Sequence, residues 1–113
     1  MRQLFENGDV VELSERDALG SICIPADTPI ADIDAEQLAQ SVLLLEFASF
    51  ADGRGFSLAK ILKRTLPPST QVVATGTIIP DQLELAWQCG FDSAIISEEL
   101  WLRCGPNNWR AQL

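Results

Sequence analysis

Apolar and polar positions along this chain switch repeatedly between a strand-like and a helix-like period, and the switches mark out a hairpin followed by βα units. Arg2 to Phe5, the polar stretch Glu6-Asn7-Gly8-Asp9, and Val10 to Leu13 predict a β-hairpin with an Asn-Gly turn. After a polar link, Ser21 to Pro25 predicts a short strand, and Asp34-Ala35-Glu36-Gln37 has the capping-box spacing that starts a short helix through Gln40. Val42 to Phe47 is an apolar run broken only by Glu46, the pattern of a parallel strand buried on both faces. A helix follows from Ser57, read as its N-cap, to about Leu66. Its apolar face is Leu58, Ile61, Leu62 and Leu66, its solvent side Lys60, Lys63 and Arg64, and Pro67-Pro68 stops it. Gln71 to Thr75 is the next strand and Gly76 to Pro80 the next loop. Asp81 and Glu84 then have capping-box spacing for a helix that buries Leu83, Ala86 and Trp87 and ends at Cys89-Gly90. Phe91 to Ile96 opens a third copy, with Ser97 as N-cap and Leu100, Trp101 and Cys104 turned inward before Gly105-Pro106.

Strand and helix alternate at nearly constant spacing, so right-handed crossovers place the strands parallel with every strand-to-helix loop on one edge. The predicted fold class is α/β: a small, mostly parallel sheet of repeated βα units resembling part of a (β/α) barrel, with an N-terminal β-hairpin. About four units cannot close an eight-stranded barrel, so the sheet stays open or is covered by the hairpin and tail. A single domain over 1–113 is expected, with hairpin and link at 1–20, βα units at 21–105 and a tail at 106–113. An open edge needs a cover, and a homodimer would supply one. Trp87 and Trp101 are read as packing residues, and Trp109 as the tryptophan most exposed to a partner.

Composition narrows the chemistry. The 113 residues include no histidine and no tyrosine, which excludes a Ser-His-Asp triad, a histidine-bound metal and a tyrosine acid within this chain. Acid-base work would fall to Asp, Glu, Lys or Cys. A formal net charge of -8 argues against nucleic acid as a partner, because that affinity comes mostly from Lys and Arg on phosphates. Cys23, Cys89 and Cys104 are odd in number, far apart and outside C-x-x-C spacing, so each is read as a small buried hydrophobe rather than a disulfide, zinc or iron-sulfur ligand. No apolar run is long enough to span a bilayer and Met1-Arg2-Gln3 begins no signal peptide; the expectation is a cytoplasmic protein without membrane contact. There is no G-x-G-x-x-G, no P-loop and no flavin signature, so no cofactor and no metal are expected.

The stretch Asp52-Gly53-Arg54-Gly55-Phe56-Ser57 sits where a strand gives way to a helix, the place where open parallel sheets bind ligands. Two glycines allow a sharp turn and close backbone approach, a β-branched residue being resisted at Gly55 if its φ is positive, and Arg54 adds a fixed positive charge. The expected anion or ligand site is Asp52, Gly53, Arg54, Gly55, Ser57, Gly76, Thr77 and Gln82, with Asp52 and Asp81 as the candidate catalytic bases. Lys60, Lys63 and Arg64 form a candidate docking face. Capping alone explains Ser57, Asp81 and Ser97, at about 1 kcal/mol each, and an Asp52–Arg54 ion pair would simply fix the loop. Gly90, Phe91 and Asp92 are read as a C-cap, a core ring and a turn residue.

Phe50 to Ala59, then Asp81-Gln82-Leu83, then Cys89-Gly90-Phe91-Asp92, in this order and spacing, resemble the bacterial family of domain of unknown function 934, from about Ile22 to Leu100. Members are typically encoded beside assimilatory sulfite reductase and phosphoadenylylsulfate reductase and are often labelled probable oxidoreductases in sulfite reduction. The resemblance therefore implies a role in sulfur assimilation, with a sulfite-reducing enzyme as partner or a small anion as ligand. Thr77 stands where the family usually has an acidic residue, which removes that position as a base, and the region before Gly20 is shorter than usual. Three functional classes are open: a non-catalytic accessory protein, an enzyme acting on a phosphorylated or sulfur-oxyanion ligand, and a structural module. Absence of a redox-cofactor motif favours the first.

Overall fold

A computed structural model describes residues 1–14, 22–49, 51 and 53–113. The elements are β1 (Arg2–Leu4), β2 (Val10–Glu12), β3 (Ile22–Pro25), α1 (Ala35–Leu38), β4 (Val42–Phe47), α2 (Arg54–Thr65), β5 (Gln71–Gly76), α3 (Leu83–Gln88), β6 (Ser93–Ile96), α4 (Glu98–Cys104) and α5 (Pro106–Arg110). They form one six-stranded sheet in the order β2-β1-β6-β5-β4-β3. β3 to β6 are parallel neighbours in chain order, and the hairpin extends the sheet antiparallel to β6, with Leu4 opposite Ala94.

Because each crossover steps one strand in the same direction, right-handed connections put every helix on the same face. The main core lies there: Leu43, Leu45 and Phe47 of β4, Val72 and Ala74 of β5, and Ala94 and Ile96 of β6 pack against Phe56, Leu58, Ala59 and Leu62 of α2, Leu83 and Ala86 of α3, Trp101 of α4 and Trp109 of α5. The alternate strand positions point to the opposite face. Leu44, Val73 and Ile95 form a small second cluster there with Met1, Leu13 and Val42 beside it. This is the side arrangement of a barrel segment, and the mixed α/β class with a parallel sheet and an N-terminal hairpin stands as expected. Ser21 and the rest of the link through 15–21 lie outside the described residues.

Several local expectations are corrected. The second helix begins at Arg54, not Ser57, and Ser57 is an exposed residue inside it rather than the N-cap. The glycines reduce helix propensity in the sequence, yet Gly55 is helical and buried, with no positive φ. A Cβ there would lie 2.5 Å from Phe47 Cε1 and Cζ and 2.8 Å from Ala26 Cβ, so glycine lets the first turn seat directly on the end of β4. With this start, Gly55, Phe56, Leu58, Ala59 and Leu62 face inward, and Ile61 is 39% exposed. Asp81 does not cap α3. Pro80 starts a 3-10 turn earlier, and Gln82 Oε1 accepts from the Ile79 N–H at 3.1 Å. The tail is also a helix: Pro106 restarts the chain after Gly105, and Trp109 is fully buried instead of exposed.

Other expectations stand. Asp34 closes a capping box with Gln37, Ser97 Oγ accepts from the Leu100 N–H at 3.1 Å, and Gly90 follows α3 with φ +98°. Among the described residues, no helix is long and apolar enough to cross a membrane.

Replacing Gly55 pits helix propensity against packing. Alanine in a helix gains about 1 kcal/mol over glycine, but overpacking a closed core typically costs about 1–3 kcal/mol. The Phe47 ring is 1% exposed and held by Phe56 and Phe91, with centroids at 5.1 and 6.0 Å, so it has little room to yield. Chemical denaturation should show Gly55→Ala destabilised by about 1–2 kcal/mol. Gly53→Ala, whose Cβ would meet nothing within 4 Å, should stay within about 0.5 kcal/mol of wild type.

Candidate functional site

The carboxyl ends of β3 to β6 share one edge of the sheet, so the loops after them meet there. β4 and β5 are drawn together at Phe47. Gly76, with φ +91°, is a position where a Cβ would collide with the Phe47 carbonyl oxygen, and the next residue, Thr77, donates its N–H to that oxygen at 2.7 Å. Only glycine fits the first position, and the turn it makes sends Thr77 out to solvent.

At the carboxyl edge of the sheet, the strand ends and the start of α4 surround an open depression of about 400 Å³. Glu46, Thr75 and Thr77 come from β4, β5 and the turn after β5; Ser97, Glu99 and Arg103 come from the start of α4. Several of these groups are already committed. Ser97 caps α4, and Arg103 Nη2 pairs with Glu99 Oε1 at 2.5 Å one helical turn away. Among the described residues, Glu46 Oε2 accepts a thiol hydrogen bond from Cys23 Sγ at 3.4 Å.

The residues expected to form one site divide into groups. Gly76 and Thr77 line the depression, beside the Ser97 cap of α4. Arg54 lies at the first position of α2, and its Nη2 is 3.6 Å from Asp27 Oδ2 in the loop after β3, with both side chains more than half exposed. Gly53 precedes the helix, Gly55 is packed under it and Ser57 is on its solvent side. Asp81 lines a different cleft with Asn108 and Cys104, and the Gln82 side chain is used to close the turn before α3. Asp52, and with it the expected Asp52–Arg54 pair, lies outside the described residues.

The docking face also divides. Lys60 and Arg64 are exposed, but Lys63 is not a solvent-side residue. Its Nζ donates to Asp92 Oδ2 at 3.0 Å and to the Thr70 carbonyl at 3.2 Å, while the same Asp92 oxygen accepts from the Val72 N–H at 2.8 Å. Lys63 and Asp92 therefore tie the end of α2 to the starts of β5 and β6. Helix pitch separates Lys63 from Arg54 by about 14 Å along α2, so the basic residues form no single patch.

The family comparison fits this framework. The model of the family described as "Bacterial protein of unknown function (DUF934)" matches residues 21–106. The chain belongs to the DUF934 family. No curated protein and no solved structure matches it. The DUF934 match spans β3 through the start of α5, so the edge carrying Arg54, Gly76 and Ser97 falls within the family segment.

Sequence reasoning missed Glu46, Asp27 and Thr75. Glu46 had a visible signal, the one charge in an apolar strand two residues beyond Leu44; only the all-helices-on-one-face topology shows that this face opens at the carboxyl edge. Cys23 is likewise corrected. It is exposed, whereas Cys89 is buried and Cys104 half-buried, because β3 is an edge strand and Cys23 points away from the helices.

The Cys23 thiol is pushed up to about 11, first by partial burial, then by its hydrogen bond to Glu46 and that carboxylate's charge. A raised thiol pKa leaves less thiolate, so iodoacetamide at pH 8 should modify Cys23 far more slowly than in the unfolded chain, with the rate climbing only as pH approaches 11. Peptide mass spectrometry should show that climb moving to lower pH in Glu46→Gln. In thermal melts, Lys63→Glu should cost about 1–2 kcal/mol by breaking the Asp92 tie, and Lys60→Glu less than about 0.5 kcal/mol.

Proposed function

We propose that this DUF934 protein is a cytoplasmic, non-catalytic accessory protein of assimilatory sulfur metabolism that engages an anionic group, on a small ligand or a sulfite-reducing partner, through Arg54. The observation that carries the reading is the placement of Arg54. A cation in the first turn of a helix opposes the helix dipole and costs about 0.3–1 kcal/mol, whereas Lys63 and Arg64 in the last turn follow it. Its ion pair with Asp27 is long and exposed, of a kind worth about 0–1 kcal/mol. The Arg54 side chain is 70% exposed, and the rigid seat of Gly55 on Phe47 fixes where its backbone sits.

Two further observations support a binding rather than a catalytic role. Asp81, a candidate base, lines a cleft that Arg54 does not. The hydroxyl of Ser97 and the amide of Gln82 are used in helix starts. The pathway assignment rests on the association of the family with sulfite-reduction genes. Gly53 and Ser57 remain the neighbours through which an anion would be held, and Lys60 and Arg64 the exposed charges that would steer an acidic partner toward α2.

Arg54→Ala should leave the melting temperature unchanged or slightly raised and abolish growth on sulfate as sole sulfur source when it replaces the wild-type protein. Low-salt pull-down from sulfate-grown cells should lose the sulfite-reducing enzyme at the same time. A variant that melts much lower yet supports normal growth would overturn the reading in favour of a purely structural loop.

A further inference from the structure

We infer that β2 is a self-association edge: two copies of this chain join antiparallel through β2 across a two-fold axis at Val11, so that their sheets become one continuous sheet. The inference is independent of Arg54, which belongs to α2 and not to the hairpin.

The two edges of the sheet are β3 and β2, and they are not equivalent. At β3, the Ala26 N–H donates to the Glu46 carbonyl at 2.8 Å, so by strand alternation Ile22 and Ile24 also face β4 while Cys23 and Pro25 face outward. Pro25 has no N–H to offer, and its carbonyl accepts from the Thr28 N–H at 3.0 Å. Among the described residues, β3 therefore presents only Cys23 as a full backbone pairing unit.

β2 is open. The Phe5 N–H donates to the Asp9 carbonyl at 3.0 Å and the Leu13 N–H to the Met1 carbonyl at 2.7 Å, which turns Asp9, Val11 and Leu13 toward β1 and leaves Val10 and Glu12 facing outward. Neither is proline, and β2 pairs with β1 alone. A row of outward N–H and carbonyl groups is a template for another strand. Two outward residues separated by one also fix the register. With Val10 of each copy opposite Glu12 of the other, every outward N–H meets a carbonyl, and the arrangement is the same seen from either copy, as a two-fold axis requires. Val11 then faces Val11 of the second copy in a non-hydrogen-bonded pair, with Cα atoms about 4.5 Å apart.

The side chains suit this register. Val11 is apolar and β-branched yet 44% exposed, on the same face as Leu13 and the small second cluster; its own copy covers it, and such cross-strand pairs stabilise sheets. Glu12 meets Val10 rather than another carboxylate, and Arg2 Nη1 holds it at 3.0 Å. Edges that resist pairing carry lysine or proline, and Val10–Glu12 has neither. A contact between two three-residue strands is small, which places the dimer in the weak, concentration-dependent class. The net charge of -8 on each copy makes it tighten as salt screens the repulsion.

Sedimentation of the full chain from about 10 μM to about 1 mM should show a reversible monomer–dimer equilibrium that moves toward dimer as sodium chloride is raised. Cross-linking locates the edge. In a Cys23→Ser background, Val11→Cys should give a disulfide-linked dimer on mild oxidation, because the paired Cα distance lies in the roughly 4.4–6.8 Å range that a disulfide spans. Leu102→Cys in the same background, at a position 62% exposed on α4, should stay monomeric. Val11→Lys should keep the wild-type melting temperature and weaken dimerisation about tenfold or more, by setting like charges opposite each other, although it lowers the overall negative charge. A monomer at every concentration and salt, equal cross-linking of Leu102→Cys, or dimerisation undiminished by Val11→Lys would each overturn the inference. A Cys23 disulfide dimer of the wild-type chain would overturn it in favour of the β3 edge.

Discussion

The end of β4 at Phe47 is the point on which the neighbouring elements close. Its ring accepts the first turn of α2 through Gly55, and its backbone accepts the turn after β5 through Gly76 and the Thr77 N–H. The same ring lies against Phe56 and Phe91, at 5.1 and 6.0 Å between centroids, so α2 and the start of the β6 segment refer to one aromatic cluster. Interiors at this density do not adjust to an added methyl group without moving several neighbours. The contact therefore fixes where Arg54 and Thr77 begin on the surface.

A second constraint is the order of the strands. Consecutive parallel neighbours with right-handed crossovers commit every helix to one face, so among the described residues the sheet has a thick core on one side and a small cluster of Leu44, Val73 and Ile95, with Met1, Leu13 and Val42 beside it, on the other. Polar residues at alternate positions of β4 and β5 consequently emerge on the thinly covered face. The depression around Glu46 lies where those residues meet the start of α4, and Arg54 does not line it. The two ends of the molecule are secured differently. Lys63 and Asp92 link α2 to β5 and β6, while Arg2 packs its guanidinium 4.9 Å from the Trp101 ring centre and pairs with Glu12 and Glu98. The N-terminal hairpin is thereby tied to α4 as well as to β6.

Charge in a sequence is a weak guide to surface function for the same reason. Four basic residues fall close together between Arg54 and Arg64, yet a helix distributes them by angle and height. Arg54 ends beside Asp27, Lys63 is spent on Asp92, and Lys60 and Arg64 face solvent. What reads as one patch along the chain is three separate situations in space.

The sequence by itself determined the elements whose signals are local: the Asn-Gly hairpin, the Asp34 capping box, the buried run Val42 to Phe47, the Ser97 cap and the alternation that makes the sheet parallel. Each depends on residues within one or two turns of each other, where propensity and periodicity are strong. Only the tertiary structure decided where α2 begins, because the advantage of a glycine at 55 lies in Phe47 and Ala26, distant in sequence. It also decided that Trp109 is core, through the helix that restarts at Pro106, and that Lys63 is a structural tie. The candidate sites were legible as an edge of the sheet but not as separate groups. Which face a strand side chain leaves on, and which charge already has a partner, are settled by packing between segments, and no pattern along the chain records them.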